Sequence, residues 1–250
     1  MVCLGVFIAS EHALGGESHA LTPADFSAQA PAWNPDGTKI AFESDRTGSW
    51  DIALLTVKTG EIQTVTSSKA DERFPTWSPD GLKLAYVSSN ETESDIEILD
   101  LKFGDVQVIE REGSELFPHW SPNGESIAYT SRIGDVFQIE IYSFEKASFT
   151  TVVKTPGRDI WPRWSSDGNR IAFFSRRDTN GRDDEVYALQ VETQSLSRLT
   201  FKPGHDFCPS WSSDGDHIAF VSVEPNGARW LQIIDVGGKL LIDSVKTSIV

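Results

Sequence analysis

Cationic and sulfur-bearing residues are scarce in this chain. Its 250 residues hold 22 Lys and Arg against 37 Asp and Glu, for a formal charge of −15. So acidic a balance excludes a nucleic-acid partner, whose phosphates demand a basic face, and disfavours anionic membrane surfaces. Two cysteines, Cys3 and Cys208, are too few to define a disulfide framework, and the redox compartment stays open. The five histidines (His12, His19, His119, His205 and His217) show no metal-ligand spacing. His-Glu-x-x-His, paired Cys-x-x-Cys, a phosphate-binding Gly-rich loop and a Gly-x-Ser-x-Gly nucleophile elbow are all missing. Asp178-Thr179-Asn180-Gly181-Arg182-Asp183 lacks the Gly and distal Glu positions of a calcium loop and reads as a polar turn. The expectation is therefore no metal, no cofactor and no catalytic residue. The apolar run Met1 to Ala9 is far too short to span a bilayer.

What the chain does have is a unit stated five times. Its clearest copy is Phe74-Pro75-Thr76-Trp77-Ser78-Pro79-Asp80-Gly81, followed by the apolar run Leu82 to Ser88. The copies centre on Trp33, Trp77, Trp120, Trp164 and Trp211, spaced by 44, 43, 44 and 47 residues. Self-similarity at such a period marks a repeat architecture. The longest spacing has its extra residues in the polar loop Arg176 to Asp184, where insertions are cheap. Pro at the second turn position, Asp or Asn at the third and Gly at the fourth suit a type I turn. A β-rich run follows each turn, as in Ile171-Ala172-Phe173-Phe174. A third strand follows a polar loop, and a fourth follows a tight turn such as Thr59-Gly60-Glu61. Four antiparallel strands per unit, each unit with a Trp, are what a β-propeller blade requires.

The pattern Pro-x-Trp-Ser-Pro-Asp-Gly-x-x-Ile-Ala-Phe-x-Ser, then a polar loop, Asp-Ile and a Gly-Glu turn, resembles the propeller repeat of the TolB-like family over residues 23 to about 246. Departures are Ser166 and Ser213 for the turn proline, Asn34 for the Ser, and Trp230 before the third strand of the fifth copy. The resemblance implies an all-β, six-bladed type of propeller. It also implies partner binding in the periplasm or outside the cell, or the gating role of the propellers of prolyl oligopeptidase-like enzymes; a cytoplasmic location stays open. Fold alone does not choose among these.

Blades are expected near 23–66, 67–110, 111–154, 155–200 and 201–246. Residues 1–22 carry two competing readings. Ser18-His19-Ala20 suits a signal-peptide cleavage site, yet no Lys or Arg precedes the apolar run and Glu11 and Glu17 are out of place there. Thr22 precedes Trp33 by 11 residues, as Thr66 precedes Trp77 and Thr200 precedes Trp211. The expectation is that residues 4–22 are the last two strands of a partial blade. Five blades and a half would leave an open edge that invites self-association.

One constellation repeats by position. Five residues before each Trp stand Ala28, Glu72, Glu115, Asp159 and Asp206, on the connections between blades. In a propeller these lie near the central channel, so four carboxylates would ring one mouth. One reading has each of them capping a turn or binding backbone amides; the other is an acidic mouth for a cation or a basic peptide. Beside them Arg73, His119 and Arg163 differ between copies, which makes them candidates for specificity. The five repeat tryptophans are expected to pack between blades in equivalent environments. The expected role is a non-enzymatic scaffold that binds a protein or peptide through its loop face.

Overall fold

The computed structural model describes residues 21–23, 25–153 and 158–246. The segment 1–20, which holds Cys3 and nearly all of the expected partial blade or signal peptide, lies outside the described residues. The chain divides into two compact units, residues 1–109 and 110–250.

Among the described residues there are twenty strands and no helix. The first unit holds β1 (Ala28–Trp33), β2 (Lys39–Ser44), β3 (Asp51–Thr56) and β4 (Glu61–Thr64), then β5 (Asp71–Trp77), β6 (Lys83–Ser89), β7 (Ser94–Asp100) and β8 (Val106–Ile109). Each set of four is an antiparallel meander in chain order. The second unit holds three more such blades. They are β9 (Ser114–Trp120) to β12 (Ser148–Val153), with β10 (Ser126–Ile133) and β11 (Val136–Ser143) between; β13 (Asp159–Trp164), β14 (Arg170–Ser175), β15 (Glu185–Gln190) and β16 (Ser195–Arg198); and β17 (His205–Trp211), β18 (His217–Val223), β19 (Arg229–Asp235) and β20 (Leu240–Lys246).

The turn joining the first two strands of each blade works as its residue types require. Ser78 Oγ donates to Asp80 Oδ1 at 2.6 Å, Leu82 N–H donates to the same oxygen at 3.0 Å, and Gly81 takes φ +71°. Ser121 and Asn123 repeat the pair at 2.7 Å, and in the first blade the Asn34 amide donates to Asp36 in place of the hydroxyl. The second strands of the first four blades are buried on both faces, which is why they read as unbroken apolar runs: Leu84, Ala85, Tyr86 and Val87 are all buried, whereas along β18 buried and half-buried residues alternate.

The core lies between successive blades. In the first unit Ala41, Ile52 and Leu54 of one blade cluster with Trp77, Leu84, Tyr86 and Leu99 of the next. In the second, Ile139 and Val153 meet Phe173, Tyr187 and Leu189, and Ala172, Val186 and Leu199 meet Ile218, Phe220 and Ile234. The expectation of five equivalent tryptophans needs correction. Trp77, Trp120 and Trp164 are 7–8% exposed, whereas Trp211 is half-buried and Trp33 is 59% exposed. Trp77 and Trp164 are each covered by the blade before their own, Trp77 by Ala41 and Leu54 and Trp164 by Ala128 and Ile141.

The sequence did not announce one further feature. In each blade the first strand breaks register with the second, and the residue before the repeat's proline turns to positive φ: Ala30 at 45°, Phe74 at 57°, Phe117 at 55°, Trp161 at 66° and Cys208 at 55°. This is a β-bulge made without glycine. A side-chain-bearing residue held there costs about 1–2 kcal/mol and persists only where its surroundings enforce it. Cys208, expected to be a small buried residue, is half-buried at this position.

Candidate functional site

The bulges organise the site. Two residues ahead of each bulged residue stands the repeated acidic position, in register with a serine of the second strand: Glu72 with Ser88, Glu115 with Ser131, Asp159 with Ser175 and Asp206 with Ser222. All four carboxylates are buried, at 0–4% exposure. Arg177 Nη2 donates to Asp159 at 2.6 Å. Burial raises Glu72, partly offset by hydrogen bonds with Thr66 and Ser68, and nearby Asp51 and Glu97 push it further up. Burial likewise raises Asp206 against bonds with Ser222 and Thr200. Glu185, in the third strand, accepts from Thr200 Oγ1 at 2.6 Å and from Arg198 at 2.8 Å. The carboxylates at these positions are thus shielded from solvent rather than exposed to it. Ala28, at the same position of the first copy, is exposed.

Arg73 is equally committed. Its guanidinium lies 4.4 Å over the Trp50 ring and 3.4 Å from the buried Glu43 carboxylate.

His119 and Arg163 differ from these. His119 Nδ1 accepts from the Trp164 N–H at 3.2 Å, which lays the imidazole against the Arg163–Trp164 backbone and leaves the ring proton on Nε2. Burial first, then the charge of Arg163, holds its pKa well below the ordinary value, so the ring is neutral. Arg163 lies 5.0 Å over the Trp161 ring, and burial alone lowers its pKa to about 10; it is a cation at neutral pH. Among the described residues no carboxylate pairs with it. Trp161 in turn packs on Phe117, ring centroids 4.5 Å apart. The second unit therefore brings two bulge aromatics, an unneutralised guanidinium and an imidazole N–H into one patch. His119 and Arg163 were legible in the sequence as irregular positions. Phe117 and Trp161 were not, although the residue preceding each proline of the Pro-x-Trp motif is the place to look.

A family described as the TolB beta propeller domain matches residues 14–115 and 68–240. The chain belongs to that family. Among solved structures, TolB from Acinetobacter baumannii is 25% identical with a TM-score of 0.76, over 88% of this chain and 54% of that one. A putative TolB from Agrobacterium tumefaciens is 24% identical with a TM-score of 0.77, over 88% and 80%. A puromycin-hydrolyzing peptidase from Mycobacterium tuberculosis shares the fold at 17% identity and a TM-score of 0.70, over 88% of this chain and 38% of the peptidase. This TolB-like chain thus spans about half the length of the first of these relatives. No curated protein gives a significant sequence match. The expected fold class, an all-β propeller of four-stranded blades, holds. Among the described residues of this TolB-like chain no helix is long and apolar enough to cross a membrane.

Proposed function

We propose that this chain is a non-enzymatic propeller scaffold that binds a protein or peptide through the patch of Phe117, Trp161, Arg163 and His119. A half-buried guanidinium with no acid beside it carries the reading. An unneutralised cation in a partly desolvated site calls for an external anion, and the aromatic rings beside it suit an apolar group next to that anion. The ligand fitting this chemistry is a carboxylate-bearing peptide segment with an aliphatic or aromatic neighbour. That replaces the basic peptide expected from the sequence, because the carboxylates that would attract one are buried. The family resemblance assigns such work to the periplasm or cell exterior.

The test is selection from an immobilised library of short acidic, neutral and basic peptides, by the wild type and by Arg163→Gln. Enrichment of acidic peptides by the wild type, lost in the variant and weakened by salt, supports the proposal. Selection of basic peptides, or the same acidic enrichment by both proteins, refutes it.

The second reading, a gating propeller of a serine peptidase, draws on the likeness to the puromycin-hydrolyzing peptidase, which is one of fold. It requires a catalytic domain to act with. The isolated chain should turn over neither ester nor peptide substrates, and turnover abolished by a single substitution in the chain would overturn the non-enzymatic reading.

A further inference from the structure

On the last blade of the second unit lies an open cavity of about 380 Å³, lined among others by Ser210, His217, Ala219, Ile233, Leu241 and Ile242. Its lining repeats the surroundings of the repeat tryptophan elsewhere. Trp77 packs with Ala41 and Leu54, which pair across two strands, and its indole donates to Ala32 O at 3.0 Å. Trp164 packs with Ala128 and its partner Ile141. Trp211 packs on the cluster of Ala172 and its partner Ala188, and donates to Arg163 O at 3.0 Å. Ala219 pairs with Ile233 in the same register, and Ser210 occupies the position of Ala32 and Arg163. The cavity is a tryptophan socket.

The matching plug is on the first blade of the first unit. Trp33 is 59% exposed, against 7% for Trp77 and 8% for Trp164. The turn beside it is equally bare. A Cβ built on Gly81 would meet Pro35 at 3.6 Å, on Gly168 Pro122 at 3.2 Å and on Gly215 Ser166 at 3.0 Å, each in the turn of the preceding blade. On Gly37 it would meet nothing within 4 Å.

We propose that the Trp33 face of one copy of this chain docks in the Ala219–Ile233 socket of a second copy. The occupant is another copy because the chain itself displays both halves of a packing arrangement that it repeats inside each unit. The incoming indole N–H would donate to Ser210 O, as those of Trp77 and Trp211 do to their own acceptors. Gly37 would rest on the Ser213 turn. His217 would stand over the ring as Arg170 stands over Trp211, 4.9 Å from its centroid. Plug and socket are different surfaces, so the contact is heterologous and runs head to tail. An apolar recess and an exposed indole on the same chain are the features that mark an association surface.

Sedimentation velocity across a hundredfold concentration range tests the proposal, with circular dichroism to verify that each variant is folded. Wild type should associate. Trp33→Ala, which removes the plug, and Ala219→Arg, which fills the socket, should each raise the dissociation constant more than tenfold. Mixed together, the two have one good plug and one good socket between them and should form a complex that stops at two chains. Ile242→Glu, on the exposed rim of the cavity, replaces Ala219→Arg should that variant misfold. A wild type monomeric throughout, association that Trp33→Ala leaves unchanged, or two folded variants that fail to pair would each overturn the proposal.

Discussion

The backbone N–H of Phe74 donates to Glu43 Oε1 at 2.8 Å, so the carboxylate of one blade holds the bulge of the next. In the second unit Thr130 Oγ1 takes the same role toward Trp161 N–H at 3.1 Å. A bulge frees an amide from its sheet, and a buried amide must find another acceptor. Glu43→Leu removes the acceptor of Phe74 N–H and the carboxylate beside Arg73 together, and should lower stability by about 3 kcal/mol. Glu43→Gln keeps an acceptor and should lose clearly less. Urea unfolding of the two variants checks the order; equal losses would show that the amide is satisfied some other way.

The repeat tryptophans should differ in proportion to their burial. Trp77→Ala removes a 7% exposed indole and its bond to Ala32 O, and should cost about 3–5 kcal/mol. Trp33→Ala removes a 59% exposed one and should stay within about 1 kcal/mol in dilute solution. Denaturant midpoints give both numbers, and a large loss at Trp33 under those conditions would contradict the exposure seen here.

The raised pKa of Glu72 has a definite sign in stability. Its pKa in the fold lies above the ordinary 4.5, chiefly through burial. Below that ordinary value the side chain is protonated in both states, and its contribution is fully present. As pH rises the unfolded chain ionises first, and the contribution is lost until the folded pKa is passed. Wild type should therefore lose stability relative to Glu72→Gln as pH climbs from about 4.5 toward neutrality. Unfolding midpoints of the pair at several pH values provide the measurement, and a gap that stays flat or moves the other way would exclude this linkage.

A backbone close approach separates two glycines. A Cβ at Gly204, where φ is +133°, would lie 2.3 Å from Val223 O, whereas one at Gly227, φ +84°, would meet nothing within 4 Å. Gly204→Ala should cost about 3 kcal/mol or more, through clash added to strain. Gly227→Ala should cost only the strain, about 1–2 kcal/mol. Thermal unfolding of the two would tell, and equal losses would mean that the Gly204 backbone can move aside.

Period, turn chemistry and apolar runs made much of this protein readable from its residues. Pro-Asp-Gly and Ser-Asp-Gly act within four or five residues, so Asp80 and Gly81 do in the fold what their types require. The strands Leu84 to Val87 and Ile171 to Phe173 are apolar because both faces are covered, and that too is local information. The positions of His119 and Arg163 stood out because a repeat shows which residues its scaffold does not dictate.

The tertiary structure decided what depends on neighbours distant in sequence. Whether Glu72, Glu115, Asp159 and Asp206 face water or the blade interior turns on side-chain direction at a bulge, and no bulge was visible in the residue types. The bulge itself puts Phe117 and Trp161 side by side and leaves Arg163 over an indole with no acid beside it. Five tryptophans with one motif were likewise bound to look alike in sequence, because the motif encodes the strand and turn but not what packs on them. The blade before it covers Trp77, while Trp33 remains exposed. Local chemistry fixes each repeat; burial is set by what the repeat is packed against.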